Sequence, residues 1–178
     1  MRNLVHDTLY RRVRGAAAAA LHTLDDTLSA STRTRRILFE AASPMSMAVF
    51  MPLYRRMQHD PRLEFWFSSC SRHWSPDAIF AGVQAGARVA PTSQLRWKKF
   101  DAYINADFWD MTWLPRRTKR VHLFHGVAGK YGLDAPVRIA PVVATFDRLM
   151  FPNQDRLDRY ANAGLVDAAP PDATATDA

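Results

Sequence analysis

Arg36-Ile-Leu-Phe-Glu-Ala-Ala42, followed by Ser43-Pro44, is the stretch of sequence that decides the fold. The short apolar run is typical of a strand buried in a sheet. Ser43 can cap a helix with its hydroxyl, and Pro44 suits the first helical position. Apolar residues then recur at spacings of four, so we predict a helix that continues to about Gln58. The stretch therefore predicts a strand, a tight loop and a helix.

The same alternation of strand and helix continues along the chain. Further strands are predicted at 63–69, 87–90, 100–105, 120–124 and 147–151. Further helices are predicted from Ser75 to before Gly86, after a cap at Asp134, and from Asn153 to Ala163 with Gly164 as the stop. This order predicts an α/β fold with a Rossmann-like, mostly parallel sheet and helices on both faces. Ligands of such sheets bind outside the carboxyl ends of the strands, so the loop after each strand is a candidate site.

We divide the chain into three parts. Residues 1–34 are predicted to form an amphipathic helix and a linker, because apolar residues recur there at spacings of three and four beside several arginines. Such a helix could lie on an anionic membrane surface or pack against the domain or a partner. Residues 35–166 are the Rossmann-like domain. Residues 167–178 contain only Ala, Pro, Asp and Thr and are predicted to be a disordered tail.

The composition excludes several classes of protein. The 178 residues are 48% hydrophobic, which is enough for a core. No apolar run approaches the roughly 18 residues that span a bilayer, and no apolar leader follows Arg2. Cys70 is the single cysteine, which excludes an internal disulfide framework and a Cys-based zinc cluster. We therefore expect a cytoplasmic protein without a metal or a cofactor.

The chain is strongly basic, with a net charge of +7 from 20 arginines, 4 lysines and 17 acidic residues. A basic balance favours anionic partners, although a bias towards arginine can also come from a GC-rich genome. Residues 116–120 form a basic run, which could contact a polyanionic acceptor, anionic lipid or nucleic acid, or be solvated surface. Nucleic acid is disfavoured, because no helix-turn-helix, zinc-finger or RNA-recognition pattern is present.

The segment His125-Gly-Val-Ala-Gly-Lys-Tyr-Gly132 is the strongest local indication of chemistry. Gly126 and Gly129 let the backbone approach a ligand closely, and Lys130 with the backbone amides can hold a phosphate. His125 follows an apolar strand, and an imidazole is suited to act as a general base near neutral pH. The segment matches neither the P-loop nor G-x-G-x-x-G, and it could be an ordinary junction between a strand and a turn.

Other polar residues near predicted strand ends have two interpretations each. Glu40 could orient the His125 ring across the crevice or be a solvated carboxylate. Ser43 could contact substrate or only cap its helix. Asp107 and Asp110 are interpreted as loop carboxylates, because no third oxygen-rich segment supports a metal site. The loop at 41–44 lacks the glycines of a dinucleotide site, which disfavours a nicotinamide-dependent enzyme.

His125-Gly-x-x-x-Lys130 resembles the motif of the CDP-glycerol:polyglycerophosphate glycerophosphotransferase family, which builds teichoic-acid-like polymers. Three further segments are similar to that family in type and order, namely 39–44, 100–105 and 146–153. The resemblance covers about residues 35–166. It implies one half of a two-domain, GT-B-type fold, the half that receives the acceptor.

The resemblance also implies roles for individual residues. His125 would activate the acceptor hydroxyl, which attacks the β-phosphate of the donor and releases CMP. The substrate-binding residues we assign are Gly126, Gly129, Lys130, Glu40 and Ser43.

The partners follow from the same resemblance. The expected acceptor is a phosphorylated polyol or a lipid-linked molecule in cell-surface polymer synthesis. CDP-glycerol is expected to bind only if a donor domain is supplied elsewhere, since the chain stops before the segment that would form one. The location would be cytoplasmic and peripheral on the inner face of the membrane. The alternative is a non-catalytic protein that binds the acceptor or the membrane.

Overall fold

The computed structural model describes residues 34–83, 87–107, 111–125 and 140–167, together with Ala16, Ala20 and Thr23. The described strands are β1 (Arg35–Glu40), β2 (Leu63–Ser68), β3 (Arg88–Val89), β4 (Ala102–Asn105), β5 (Lys119–Leu123) and β6 (Arg148–Met150). The described helices are α1 (Pro44–Met57), α2 (Pro76–Phe80), α3 (Thr92–Leu95) and α4 (Gln154–Asn162). Residues 140–143 are also helical.

The six strands form one sheet with the order β3-β2-β1-β4-β5-β6, and every pair is parallel. Strands β1, β2 and β3 follow one another towards one edge of the sheet. The chain then returns to the centre, where β4 pairs with β1, and β5 and β6 follow towards the other edge. This is the Rossmann strand order, and its topological switch point lies between β1 and β4. The predicted Rossmann-like α/β fold with a parallel sheet is confirmed.

The first helix begins as its sequence indicates. Ser43 has an extended backbone, and its hydroxyl accepts a hydrogen bond from the Ser46 amide at 3.2 Å. Pro44 takes the first helical position, where an amide proton would have no partner in the helix. The predicted end near Gln58 is also confirmed, since Gln58 caps the last turn.

The end of α4 is determined by a glycine. Gly164 has a φ of 69°, a conformation that side chains with a Cβ rarely adopt. Its amide donates to the Ala161 carbonyl at 2.8 Å, and the Leu165 amide donates to the Tyr160 carbonyl at 3.0 Å. These bonds satisfy carbonyls that the end of the helix would leave without a partner. The predicted stop at Gly164 is confirmed.

The side chains of the central strands alternate between two apolar layers. Phe39 lies in the first layer with rings from β2 and α1, which are Phe50, Tyr54, Phe65 and Phe67. The ring centroids of Phe39 and these four lie 5.4–6.3 Å apart, within the range of favourable aromatic pairs. The second layer packs on the other face and contains Leu38, Trp66, Leu95, Phe100, Tyr103, Met111 and Leu114.

Several elements differ from the sequence prediction. The first strand ends at Glu40 rather than at Ala42, and the helix predicted from Ser75 to before Gly86 covers only Pro76–Phe80. The four residues of α3 were not predicted as a helix, because a single turn is too short to show a helical apolar period. The strand predicted from Phe100 begins two residues later at Ala102. Phe100 is instead a buried core residue of the second layer, which explains why its apolar character resembled that of a strand.

Several predicted segments lie outside the described residues. They are the amphipathic helix within 1–34, the helix start at Asp134 and the tail beyond Asp167. In the ranges that the structure does describe, no helix combines the length and apolar character needed to cross a membrane.

The packing of Phe39 predicts a large effect on stability. Phe39→Ala removes a fully buried ring that contacts four others, so we expect a loss of about 3–5 kcal/mol in the free energy of unfolding. Met45→Ala is the control, because Met45 is 65% exposed and should cost less than about 0.5 kcal/mol. Urea denaturation followed by tryptophan fluorescence measures both. A loss below about 1 kcal/mol for Phe39→Ala would contradict this account of the core.

Candidate functional site

Polar side chains from three loops meet at the carboxyl edge of the sheet, at the switch point. Ser43 and Ser46 belong to the start of α1, directly after β1. Asp107 follows β4, and His125 follows β5. Since β1, β4 and β5 are neighbours, the sheet itself brings these loops together. This is the edge at which parallel α/β sheets bind their ligands.

Hydrogen bonds connect the two serines to Asp107 in a definite direction. The Ser46 hydroxyl donates to Oδ2 of Asp107 at 3.0 Å. The hydroxyls of Ser43 and Ser46 lie 3.2 Å apart. Because the one proton of the Ser46 hydroxyl is already donated, Ser43 must be the donor between the two. The chain of donors therefore runs from Ser43 to Ser46 to Asp107 and fixes one oxygen of the carboxylate.

The other carboxylate oxygen of Asp107 faces His125. Oδ1 of Asp107 lies 3.9 Å from Nε2 of His125. That distance is too long for a hydrogen bond but allows an ionic contact once the imidazole is protonated. The side chain of His125 is 35% exposed and that of Asp107 is 30% exposed, so a ligand can reach both. A carboxylate in this position stabilises the imidazolium that forms when a histidine removes a proton.

The backbone of His125 is held by α4. Arg156 donates from its guanidinium to the His125 carbonyl at 3.2 Å. The same guanidinium lies 4.6 Å from the ring centroid of Phe124, in a cation–π contact. Asn153 caps α4 through a bond from the Arg156 amide at 2.9 Å, which fixes the first turn that carries Arg156. The strand end that presents His125 is therefore tied to a capped helix.

A row of buried polar side chains lies in the sheet at the same edge. Ser68, Glu40, Asn105 and His122 are in register on β2, β1, β4 and β5. All four are at most 2% exposed. Tyr103, two residues before Asn105 on the same face of β4, is also fully buried. We call these five residues the polar row.

Hydrogen bonds connect the polar row from end to end. The Tyr103 hydroxyl donates to Oε2 of Glu40, and the Thr92 hydroxyl donates to Oε1 of Glu40 at 3.1 Å. Thr92 also lies 2.9 Å from the Ser68 hydroxyl. On the other side, Nδ2 of Asn105 donates to the Tyr103 oxygen at 3.2 Å. Buried polar groups joined in this way avoid the cost of lost hydration.

The same bonds determine the tautomer of His122. Asn105 uses its amide nitrogen towards Tyr103, so its oxygen faces Nδ1 of His122 at 2.9 Å. An amide oxygen can only accept, so Nδ1 of His122 must carry a proton. The ring is held between Phe124 and Phe146, with centroids at 4.4 and 5.1 Å.

Burial keeps the imidazole and the phenol of the polar row neutral. The pKa of His122 is lowered to about 3, chiefly by burial and further by electrostatic interaction with the nearby His125 and Arg156 side chains. Burial raises the pKa of Glu40, while the hydrogen bonds from Tyr103 and Thr92 oppose that rise. The pKa of Tyr103 lies well above its usual range, because the ring is buried beside Glu40. Near neutral pH the row therefore carries an uncharged imidazole and phenol.

The structure places the predicted site residues in different surroundings. His125 lies at the carboxyl end of its strand, as the sequence indicated. Glu40 does not orient His125: its oxygens are bonded to Tyr103 and Thr92, and the carboxylate beside His125 belongs to Asp107. Ser43 caps α1 and also donates to Ser46. Gly126, Gly129 and Lys130 lie outside the described residues.

Sequence reasoning missed the importance of Asp107, which was interpreted as a loop carboxylate. The available indication was its position directly after β4, the strand next to β1 at the switch point. His122 was also missed, because a histidine inside an apolar run resembles any other strand residue. Only the register, which pairs His122 with Asn105, shows that it belongs to a polar row.

Cys70 lies after β2 at the same edge and is exposed. Its pKa is nevertheless raised to about 12, first by local desolvation of the thiol and then by the charges of Glu40 and Asp107. A thiol of this kind remains protonated near neutral pH and is a poor nucleophile. Within the described ranges, no three His, Cys, Asp or Glu side chains gather closely enough to hold a metal ion.

Comparison with known proteins gives no match, either to a protein-family model or to a curated protein.

The neutral state of His122 predicts a pH dependence of stability. The pKa of His122 is about 3 in the folded protein and 6.5 in the unfolded chain. Between these pH values the unfolded chain therefore binds one proton that the folded protein does not. Stability should therefore fall as the pH drops from 6.5 towards 3, by up to about 1.4 kcal/mol per pH unit. The free energy of unfolding, measured by denaturation between pH 3 and 6.5, should depend less steeply on pH in His122→Asn than in the unchanged protein. His59→Asn, which changes an exposed histidine, should keep the original slope.

Removing the Tyr103 hydroxyl should make stability more sensitive to a rise in pH above 4.5. Because the folded pKa of Glu40 is raised, folded Glu40 keeps its proton above 4.5 and stability falls as the pH rises through the folded pKa. Without the bond from Tyr103, that pKa rises further and the fall becomes larger. For Tyr103→Phe we expect a loss of about 1 kcal/mol at pH 4 and about 3 kcal/mol at pH 8.

Tyr54→Phe is the matched control for this measurement, because Tyr54 is a buried ring whose hydroxyl lies outside the polar row. Its effect on the free energy of unfolding should be the same at both pH values. An equal loss at pH 4 and pH 8 for Tyr103→Phe would show that Glu40 does not titrate in this range.

Proposed function

We propose that this chain is the acceptor-binding half of a phosphotransferase that resembles the CDP-glycerol glycerophosphotransferases, with His125 as the general base. The observation that carries the proposal is the accessible His125–Asp107 pair at the switch point, with Asp107 fixed by Ser46. A histidine beside a fixed carboxylate is suited to take a proton from a hydroxyl. The resemblance of residues 125–130 to the family motif supports the same role.

In the proposed reaction, the acceptor is a phosphorylated polyol or a lipid-linked molecule with a free hydroxyl. Its oxygen attacks the β-phosphorus of CDP-glycerol, and the hydroxyl proton passes to Nδ1 of His125, because Nε2 faces Asp107 and carries the other ring proton. The bond from that phosphorus to the oxygen bridging the two phosphates breaks, and CMP leaves with the bridging oxygen. The product is the acceptor extended by one glycerol phosphate.

Asp107 would stabilise the positive charge that appears on His125 in this step. Its Oδ1 lies 3.9 Å from the imidazole, and a small movement on acceptor binding would bring the two into hydrogen-bond distance. Ser46 keeps the other oxygen occupied, so the carboxylate cannot rotate freely. In this proposal, Ser43 acts through Ser46 as a positioning residue.

The remaining binding residues have separate proposed roles. Gly126, Gly129 and Lys130 would hold an acceptor phosphate through backbone amides and an ammonium group. Glu40 is buried and bonded to Tyr103, so its proposed contribution is to support the floor of the site.

CDP-glycerol would be presented by a donor domain supplied elsewhere, and a lipid-linked acceptor would place the protein at the inner face of the membrane. Binding of the acceptor without turnover is the alternative, and the experiment below separates the two.

The proposal predicts different effects of one substitution on binding and on transfer. His125→Ala should leave the dissociation constant of a glycerol phosphate oligomer within about threefold, since the base contacts only the reacting hydroxyl. With CDP-glycerol and a donor domain present, CMP release should fall at least about 100-fold, the scale of general-base catalysis. Asp107→Asn should lower the same rate by a smaller factor. Calorimetry measures binding, and chromatography measures CMP.

His59→Ala is the control, because His59 lies exposed at the far end of α1. It should change neither quantity. Normal CMP release by His125→Ala would exclude the base, and binding without CMP release by the unchanged protein would support the non-catalytic alternative.

A further inference from the structure

A cavity lies at the amino-terminal edge of the sheet, opposite the edge that carries His125. Strands β1, β4 and β5 begin at this edge, and the chain reaches β5 through the basic run of residues 116–120. The cavity has a volume of about 330 Å³ and is lined by Arg35, Lys99, Phe100, Asp101, Arg117 and Lys119. These residues come from three separate parts of the sequence, which the fold brings together.

Positive charge dominates the lining of this cavity. Four of its side chains are cationic, and Asp101 is the single carboxylate among the lining residues. One oxygen of Asp101 lies 3.0 Å from the Arg35 guanidinium and 4.0 Å from Nζ of Lys99. Its other oxygen accepts from the Arg36 amide at 2.9 Å. One carboxylate is therefore shared by two cations and a backbone amide.

Lys119 has a further acidic contact. Its ammonium lies 3.1 Å from Asp147, which precedes β6, and both side chains are partly exposed. An exposed pair of this kind is weak, so Lys119 can turn towards a ligand at little cost.

The backbone that carries these cations is fixed by hydrogen bonds. The buried Thr118 hydroxyl donates to the Phe100 carbonyl at 2.8 Å and fastens the turn that carries Arg117. The Lys119 amide donates to the Asp101 carbonyl at 2.9 Å. The starts of β4 and β5 are thus held side by side. The fixed backbone reduces the conformational entropy lost when these side chains bind an anion.

We propose that this cavity is a second binding site, for a ligand that carries two or more phosphate groups. Four cationic side chains and one carboxylate line the cavity, so the lining carries net positive charge, which phosphate oxygens would neutralise. Arginine matches phosphate with its planar fork, and lysine adds a point charge. The volume is at the lower end of the range for small-molecule sites.

The site is independent of the His125 site. Strands of four to six residues separate the two edges, which corresponds to about 13–20 Å. The phosphate groups could belong to a soluble molecule or to the headgroups of anionic lipid, and the two sources present the same chemistry to the cavity. The experiment therefore uses one probe for each source.

Inorganic pyrophosphate is the soluble probe, measured with the full chain by calorimetry at fixed ionic strength. The double variant Arg117→Gln with Lys119→Gln should weaken pyrophosphate binding at least tenfold. Arg116→Gln is the matched control, because Arg116 belongs to the same basic run but does not line the cavity. It should change the dissociation constant less than twofold. Circular dichroism establishes that the variants are folded.

Vesicles of phosphatidylglycerol, compared with vesicles of phosphatidylcholine, are the lipid probe in a sedimentation assay. Pyrophosphate binding that the double variant loses supports a soluble ligand. Vesicle binding that the double variant loses and pyrophosphate displaces supports a lipid headgroup. Equal losses in the double variant and Arg116→Gln, or no binding of either probe, would overturn the proposal. The proposal would also be overturned if duplex DNA bound more tightly than either probe and if Arg116→Gln weakened that binding as much as the double variant did.

Discussion

The polar row that crosses the carboxyl ends of four parallel strands is the constraint on which this structure depends. Glu40, Asn105 and His122 lie in register, buried and joined through Tyr103. A strand displaced by one residue would turn these groups into the apolar layer on the other face and break the bonds. Because a buried polar group without a partner costs about 1–3 kcal/mol, the row specifies the register as well as stabilising it.

The row also supports the candidate site. His125 follows the strand that carries His122, and Asp107 follows the strand that carries Asn105. Because the row fixes the register of β4 against β5, it also fixes the separation of Asp107 and His125, which follow these strands. The bond from Ser46 then holds the carboxylate from the side of α1. The geometry of the site therefore depends on buried bonds formed by residues that need not touch a substrate.

The two edges of the sheet differ in their chemistry. The carboxyl edge presents a histidine and a carboxylate with hydroxyls, which suits proton transfer. The amino edge presents a cavity lined by two arginines, two lysines and one carboxylate, which suits binding of phosphate. Parallel strands make this separation natural, because all starts lie at one edge and all ends at the other.

The sequence predicted the fold well because buried parallel strands and intervening helices leave separate local patterns. It also placed His125 at a strand end, since the apolar run and the glycine that follows are adjacent in the chain. It offered Glu40 rather than Asp107 as the acidic neighbour of His125, because the Glu40 bonds to Tyr103 and Thr92 depend on contacts between distant parts of the chain. The gathering of Arg35, Lys99 and Arg117 was equally hidden, since strand order alone makes these residues neighbours.

Nitrogen-15 NMR of the His122 ring tests the central claim most directly, because the ring is the last member of the polar row. If the row is bonded as described, His122 is neutral with its proton on Nδ1 at pH 7, and it remains so down to about pH 4. A ring that carries its proton on Nε2, or one that is charged at pH 6, would contradict the account. A proton on Nε2 alone would mean that Asn105 does not join β4 to β5 through this bond, and a charged ring would mean that burial does not keep His122 neutral.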